Sequence, residues 1–76
     1  MIRELDSVVL RRDIPEHSLV TGDIGAVVHI YADGQHFEVE FVTGEGQTVA
    51  LLTLTASDIR TMQKSEILHA RKVEAA

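Results

Sequence analysis

The chain has 76 residues, a length that predicts one domain with a compact core. Hydrophobic residues make up 45% and charged residues 25%, as in folded globular proteins, and no cysteine is available for a disulfide framework or a thiolate zinc site. Seven Lys and Arg against twelve Asp and Glu give a formal net charge of −5, which disfavours binding to nucleic acid and to anionic membranes. Residues 1–6 lack the apolar core of a signal peptide, and no run reaches the roughly 18 apolar residues of a membrane span, so we expect a cytoplasmic protein.

The first predicted element is a short strand within Leu5–Asp13, where β-branched residues lie between polar ends. A connecting loop follows over Ile14–Asp23, because proline, serine and glycine occur there without a sustained hydrophobic period. The run Gly22-Asp23-Ile24-Gly25 lacks the lysine and the following helix of a phosphate-binding loop. We therefore interpret these glycines as a tight turn followed by a bend or bulge in the next strand.

The central prediction is a β-hairpin around a two-residue Asp33-Gly34 turn. Such a turn places Ala32 opposite Gln35 and fixes every pair outward from it. The predicted inward pairs, all apolar, are Ile30 with Phe37, Val28 with Val39, and Ala26 with Phe41. The predicted outward pairs, mainly polar, are Tyr31 with His36, His29 with Glu38, and Val27 with Glu40.

A second hairpin is predicted around Gly44-Glu45-Gly46-Gln47, with Thr43 opposite Thr48. Its returning strand, Thr48 to Leu54, continues the inward face. The pairs on that face are Phe41 with Ala50, Val39 with Leu52, and Phe37 with Leu54. Because two separate turns lead to the same apolar face, we expect the three strands to share one core.

The end of the chain is predicted to form a 3₁₀ turn over Thr55–Arg60, a short last strand over Thr61–Gln63, and a tail over residues 64–76 that is helical or disordered. This element order is typical of a small, mainly β, five-stranded antiparallel SH3-like barrel, here over residues 1–63. The alternative is an open three- or four-stranded sheet backed by a C-terminal helix. Burial of Ile67, Leu68 and Val73 would favour that alternative.

Linked motifs over about Leu5–Arg60 resemble a family of small bacterial proteins catalogued only as a domain of unknown function. The motifs are Leu5-Asp6-x-Val8-Val9-Leu10-x-Arg12-Asp13-Ile14-Pro15-Glu16-His17-x-Leu19, Gly22-Asp23-x-Gly25-x-Val27-Val28-His29-x-Tyr31, Phe37-x-Val39-Glu40-Phe41 and Leu52-Thr53-Leu54. The second motif also resembles the entry to SH3-like barrels. Family members resemble the small second genes of toxin–antitoxin-like pairs, which implies a protein partner. Ser18 stands where the resemblance leads us to expect glycine.

Three potential metal ligands, His29, His36 and Glu38, fall on the predicted outward face. We interpret them as solvated cross-strand groups, because no cysteine completes a closed site and diagonal neighbours on a sheet are widely spaced. No serine lies in a nucleophile motif, and Glu38 and Glu40 face outward on a strand. We therefore expect no enzyme activity, no metal and no cofactor.

Three apolar residues on the predicted outward face, Val27, Val49 and Leu51, are left in need of cover. Curling of the sheet, the C-terminal segment or a second chain would each provide it. We expect a partner here, with a polar rim around the apolar residues. The predicted partner-binding residues are Val27, His29, Tyr31, Glu38, Glu40, Val49 and Leu51.

The first functional hypothesis is a non-enzymatic protein-binding module, the antitoxin-like or escort partner of a neighbouring gene product. The acidity of the chain suits a basic partner. The second hypothesis is a nucleic-acid- or ribosome-associated barrel that uses Arg11, Arg12 and Arg60. The third is a homodimer formed through an edge strand.

Overall fold

Turn-forming residues divide the chain into five runs that contain β-branched or aromatic residues, and the computed structural model, which describes residues 1–73, has a strand in each. The elements are β1 (Ser7–Leu10), a 3₁₀ turn (Pro15–His17), β2 (Ile24–Ile30), β3 (His36–Val42), β4 (Thr48–Thr55) and β5 (Ile59–Thr61). Neighbouring strands are antiparallel, in the order β4-β3-β2-β1-β5. The mainly β, five-stranded antiparallel fold is confirmed. Within residues 1–73 the sheet is open, with β4 and β5 at its edges, so closure into a barrel is not confirmed.

One hydrophobic cluster lies against the inner face of the sheet. Leu54 of β4 and Ile59 of β5 come from the two edges, yet both belong to the same buried cluster as the central Val39. In a flat sheet of five strands these edges would stand about 19 Å apart. The sheet must therefore curl strongly. Ile14 and Leu19, which form a bridge within the β1–β2 loop, complete the cluster from outside the sheet.

The β1–β2 loop contains the position where glycine was expected. Ser18 ends the 3₁₀ turn with φ 60° and ψ 27°, in the left-handed region, and its N–H donates to the Pro15 carbonyl at 3.0 Å. Glycine adopts this conformation without steric cost, which explains the expectation. Gly22, farther along the loop, also has a positive φ of 97°.

A β-bulge in β2 overturns half of the predicted first register. Ile30 pairs with Phe37 and His29 with Glu38, as predicted, but the register then shifts and Val27 pairs with Val39. The predicted pair of Val28 with Val39 is therefore wrong. Val27, predicted to point outward, is fully buried at 0% exposure, whereas Val28, predicted inward, is 40% exposed. Ala26, also predicted inward, pairs with Glu40 and is exposed.

The bulge arises because odd-numbered residues of β2 face the core at the start of the strand, whereas even-numbered residues face it at the end. Gly25 faces the core, where an added Cβ would lie 2.7 Å from Val39 Cγ1 and 2.8 Å from Phe41 Cε2. Only glycine fits there, so odd-numbered residues point inward at the start of the strand. At the other end the hairpin turns Ile30, an even-numbered residue, toward the core. One extra residue, at Val28, reconciles the two phases.

The loop between β2 and β3 differs from the predicted two-residue turn. Gly34 has a φ of 68°, but Asp33 does not have the positive φ that a type I′ turn requires. Instead Gly34 N–H donates to the Tyr31 carbonyl at 2.9 Å, and Tyr31 N–H donates to the His36 carbonyl at 3.0 Å. The loop therefore contains four residues, and the register next to it is unchanged.

The predicted inward pairs of the second hairpin are all confirmed: Phe37 with Leu54, Val39 with Leu52, and Phe41 with Ala50. The register shifts only beyond Phe41, where Val42 pairs with Thr48. The predicted pair of Thr43 with Thr48 is therefore wrong. The shift turns Val49, predicted to point outward, partly onto the core cluster.

The C-terminal elements also differ from prediction. Thr55–Asp58 forms a single turn, in which Asp58 N–H donates to the Thr55 carbonyl at 2.9 Å, and it does not continue as a 3₁₀ helix to Arg60. The last strand lies at Ile59–Thr61, two residues early, because Ile59 fills the core. Residues 64–73 form no helix. Ile67 and Leu68 are exposed and Val73 is half-buried, so the helix-backed alternative is not supported. The tail prediction for residues 74–76 lies outside the described residues. Within residues 1–73, no helix has the length and apolar character that a membrane span needs.

Candidate functional site

The surface of the sheet opposite the core carries five of the predicted partner-binding residues. We call this surface the outer face and define it by His29, Tyr31, Glu38, Glu40 and Leu51. Glu38 lies opposite His29 on one side and Thr53 on the other, and Glu40 lies opposite Leu51. The regular alternation of β3 places both carboxylates on this face, so the structure brings these five residues together as predicted.

The other two predicted residues do not belong to the outer face. Val27 is a fully buried member of the core cluster because the bulge in β2 turns it inward. Val49 is half-buried and packs against the same cluster because of the shift at the end of β4. Of the three apolar residues predicted to need cover, only Leu51 stays clearly exposed, at 53%.

Glu38 is the centre of a hydrogen-bond network that joins β3 to β4 and to Tyr31, the residue after β2. Thr53 Oγ1 donates to its Oε1 at 2.7 Å, and Tyr31 Oη donates to the same oxygen at 2.9 Å. These hydrogen bonds, first from Thr53 and then from Tyr31, hold the pKa of Glu38 below its usual value. The carboxylate is therefore ionised at neutral pH, and Tyr31 is fixed over the sheet. Thr53 was missed, although the predicted register already placed it opposite Glu38.

Glu40 and Leu51 form the second row of the outer face. Thr48 Oγ1 donates to Glu40 Oε2 at 2.7 Å, which orients the carboxylate along the sheet. Leu51 lies directly opposite Glu40 and remains half exposed. An apolar side chain beside two oriented carboxylates is an arrangement suited to a surface with a basic rim.

The histidines do not gather into a metal site. His29 packs edge-on against Tyr31 with ring centroids 5.0 Å apart, and its Nδ1 lies 3.9 Å from Glu4 Oε2. His36 Nδ1 instead lies 2.6 Å from Asp33 Oδ2, in the β2–β3 loop. Among residues 1–73, no three His, Asp or Glu side chains are close enough together to hold a metal ion.

Residues 64–73, which we call the C-terminal strap, cover a different part of the sheet. Val8 and Leu10 point into the core cluster, so Val9 between them points to the opposite side, yet Val9 is buried as well. A cavity of about 150 Å³ beside Val9 is lined by residues of β2, β5 and the strap, among them Ile24 and Ile67. The strap therefore shelters Val9 and leaves Leu51 open.

Two ion pairs hold the C-terminal strap. Arg60 donates to both carboxylate oxygens of Glu66, at 2.8 and 2.7 Å, and these bonds with the Gln63 N–H lower the pKa of Glu66 to about 2. Arg71 makes a similar two-point contact with Asp23, with Nε 2.7 Å from Oδ1. Burial raises the pKa of Asp23, but the bonds from Arg71 and the Val20 N–H outweigh burial and leave this pKa below its usual value.

Two of the three arginines assigned to nucleic-acid binding are used within the protein. Arg12 Nε donates to Asp58 Oδ1 at 2.8 Å, and Arg60 is paired with Glu66. Each guanidinium is thus partly neutralised by a carboxylate on the same surface. Such pairs weaken attraction to phosphate groups.

A family model described as "Domain of unknown function (DUF4926)" matches residues 4–61, which include all five strands. No curated protein and no solved structure matches the chain.

Proposed function

The chain belongs to the family described as Domain of unknown function (DUF4926), and we propose that it is a non-enzymatic protein-binding module that holds a basic protein on its outer face. The partner is the product of a neighbouring gene, toward which this chain acts as an antitoxin-like or escort protein. Recognition combines contact with Leu51 and ion pairing with Glu38 and Glu40.

The observation that carries the proposal is the exposure of Leu51 beside oriented carboxylates. Leu51 is 53% exposed on the edge strand β4, directly opposite Glu40, so its apolar side chain and that carboxylate are presented together to a partner. Tyr31, held by its hydrogen bond to Glu38, adds a rigid aromatic surface of the kind enriched in interfaces. The surface thus combines apolar contact area with polar groups at its margin.

Charge favours a basic partner. The chain carries a formal net charge of −5, and the lowered pKa of Glu38 keeps that carboxylate ionised well below neutral pH. Opposite charges accelerate association and select against acidic partners. The nucleic-acid hypothesis is disfavoured by the same field and by the internal pairing of Arg12 and Arg60.

The test is co-purification of the tagged chain with the product of the neighbouring gene, followed by titration calorimetry. Glu40→Lys should weaken binding about tenfold or more, because it puts a cation in the middle of the outer face. Glu45→Lys is the matched control: it makes the same change of charge in the β3–β4 loop, away from the outer face, and should bind almost as wild type.

Three results would overturn the proposal. The neighbouring product does not bind; it binds equally well to wild type and Glu40→Lys; or fluorescence anisotropy shows salt-dependent binding of RNA or DNA that Arg11→Ala removes. Circular dichroism of each variant establishes that the fold is retained.

A further inference from the structure

β4 is an open edge of unusual composition. It pairs with β3 on one side, while no strand among residues 1–73 pairs with its other side. Its eight residues, Thr48–Thr55, include no charged residue, no proline and no glycine. Natural proteins usually protect a long edge strand with lysine, proline, a bulge or a covering segment. The central part of β4 has none of these, so its free side is available to another strand.

The backbone groups on that free side can be identified from the register. Tyr31 N–H donates to the His36 carbonyl, so His36 directs its backbone groups toward β2. Since alternate residues of a strand direct these groups to opposite sides, Phe37, Val39 and Phe41 bond toward β4. Thr43, which continues this series, donates to the Gln47 carbonyl on that side.

The partners of Phe37, Val39 and Phe41 are Leu54, Leu52 and Ala50. The residues between these partners, Leu51 and Thr53, therefore direct their N–H and C=O groups to the free edge. Val49 is the extra residue at the register shift, so only its carbonyl, which shares a peptide unit with the Ala50 N–H, is placed on the free edge. Their backbone groups have no bond to any loop or turn of the described chain. The side chain of Leu51 is exposed at the same place.

We infer that two copies of the chain associate through antiparallel pairing of their β4 strands, with Leu51 opposite Leu51 of the second copy. This register also places Val49 opposite Thr53 of the second copy. It pairs the N–H and C=O groups of Leu51 with those of Leu51 in the second copy, and it places the Thr53 N–H opposite the Val49 carbonyl of the second copy. The two sheets then form one continuous sheet with a two-fold axis at Leu51.

The side chains fit a second copy of this chain. On the outer face the two exposed Leu51 side chains cover each other, and on the inner side Ala50 lies opposite Leu52 of the second copy. The nearest outer-face carboxylates along the axis, Glu40 of each copy, stand about 14 Å apart, three strand spacings away. This exceeds the Debye length of about 8 Å at physiological salt, so the acidic chains can approach.

An uncharged strand is also the best neighbour for β4 itself. A basic strand placed here would set its cations beside Leu51 and Thr53, with Glu38 and Glu40 one strand farther away. Pairing of the edges covers Leu51, which the proposed function also uses, and leaves Glu38, Glu40 and Tyr31 open to a partner. The inference is therefore tested on the chain alone, so that its failure and the failure of the proposed function are distinguishable.

The experiment measures molar mass by light scattering over a range of concentrations, without any partner. Wild type should have the mass of two chains and dissociate on dilution. Thr53→Pro removes an N–H that the monomer does not use and places a ring at the free edge, so it should raise the dimer dissociation constant about 100-fold. Thr53→Val is the matched control. Both variants lose the hydrogen bond from the Thr53 hydroxyl to Glu38, but Thr53→Val keeps the backbone N–H and should stay dimeric.

Hydrogen exchange of the wild-type protein tests the register without any variant. At high concentration the amides of Leu51 and Thr53 should be protected, and dilution should remove this protection while the amides of Ala50 and Leu52 keep theirs. A monomeric mass at every concentration, or rapid exchange of the outward amides in a dimer, would overturn the inference. A dimer unaffected by Thr53→Pro would do the same.

Discussion

Replacing Val27 and Val28 by alanine, one at a time, tests the bulge in β2 with the same chemical change at adjacent positions. Each substitution removes two methyl groups, worth about 1.6 kcal/mol if they are fully buried. Val27 is fully buried in the core cluster, so the cavity left behind adds to this cost, and we expect a total loss of about 2–3 kcal/mol. Val28 is 40% exposed, and its loss should stay below about 1 kcal/mol.

The assay is urea denaturation followed by circular dichroism. A domain of this length has a total stability of about 4–11 kcal/mol, so Val27→Ala should remain folded. With a slope of about 1 kcal/mol per molar urea, the midpoint of Val27→Ala should fall by about 2–3 M and that of Val28→Ala by less than about 1 M. Because both variants carry the same substitution at adjacent positions, its effects on the unfolded state largely cancel when the two are compared.

The uninterrupted register from a two-residue turn makes the opposite prediction, since it puts Val28 inside opposite Val39 and Val27 outside. If Val28→Ala were as destabilising as Val27→Ala, or more so, the argument from the phase of Gly25 would be wrong. Equal small losses would show that neither side chain is packed as described.

Two further predictions concern the core and the C-terminal strap. Gly25→Ala should cost about 1–3 kcal/mol in urea denaturation, because its Cβ would meet Val39 and Phe41, whereas Gly44→Ala, with nothing within 4 Å of the added Cβ, should be nearly neutral. The pair of Glu66 with Arg60 should stabilise the fold above about pH 4.5, the ordinary pKa of the carboxyl, and progressively less as pH falls toward about 2, its pKa in the folded protein. The stability difference between wild type and Glu66→Gln, measured from pH 6 to pH 2, should accordingly shrink on acidification; a constant difference would contradict the pKa.

Much of the outer face was predictable from residue order. Glu38 and Glu40 alternate with apolar residues in β3, and this alternation alone separates a core face from a solvent face. The pairing of β3 with β4 was predictable as well, because Phe37–Phe41 of β3 pairs with Ala50–Leu54 of β4 without a bulge. Thr48 and Thr53, which orient the carboxylates, become visible once the strands are paired.

Sequence pattern alone established the strand content, the pairing of β3 with β4 and the position of the Glu38 and Glu40 carboxylates, because these depend on an alternation confined to neighbouring residues. Tertiary packing decided the rest. Gly25 faces inward against Val39 and Phe41, where a larger residue would not fit, and this contact sets which residues of β2 face the core at the start of the strand. The resulting bulge buries Val27 and exposes Val28. The cover over Val9 was likewise decided in three dimensions. The strap, held by pairs distant in sequence such as Arg71 with Asp23, lies over Val9 and leaves Leu51 exposed.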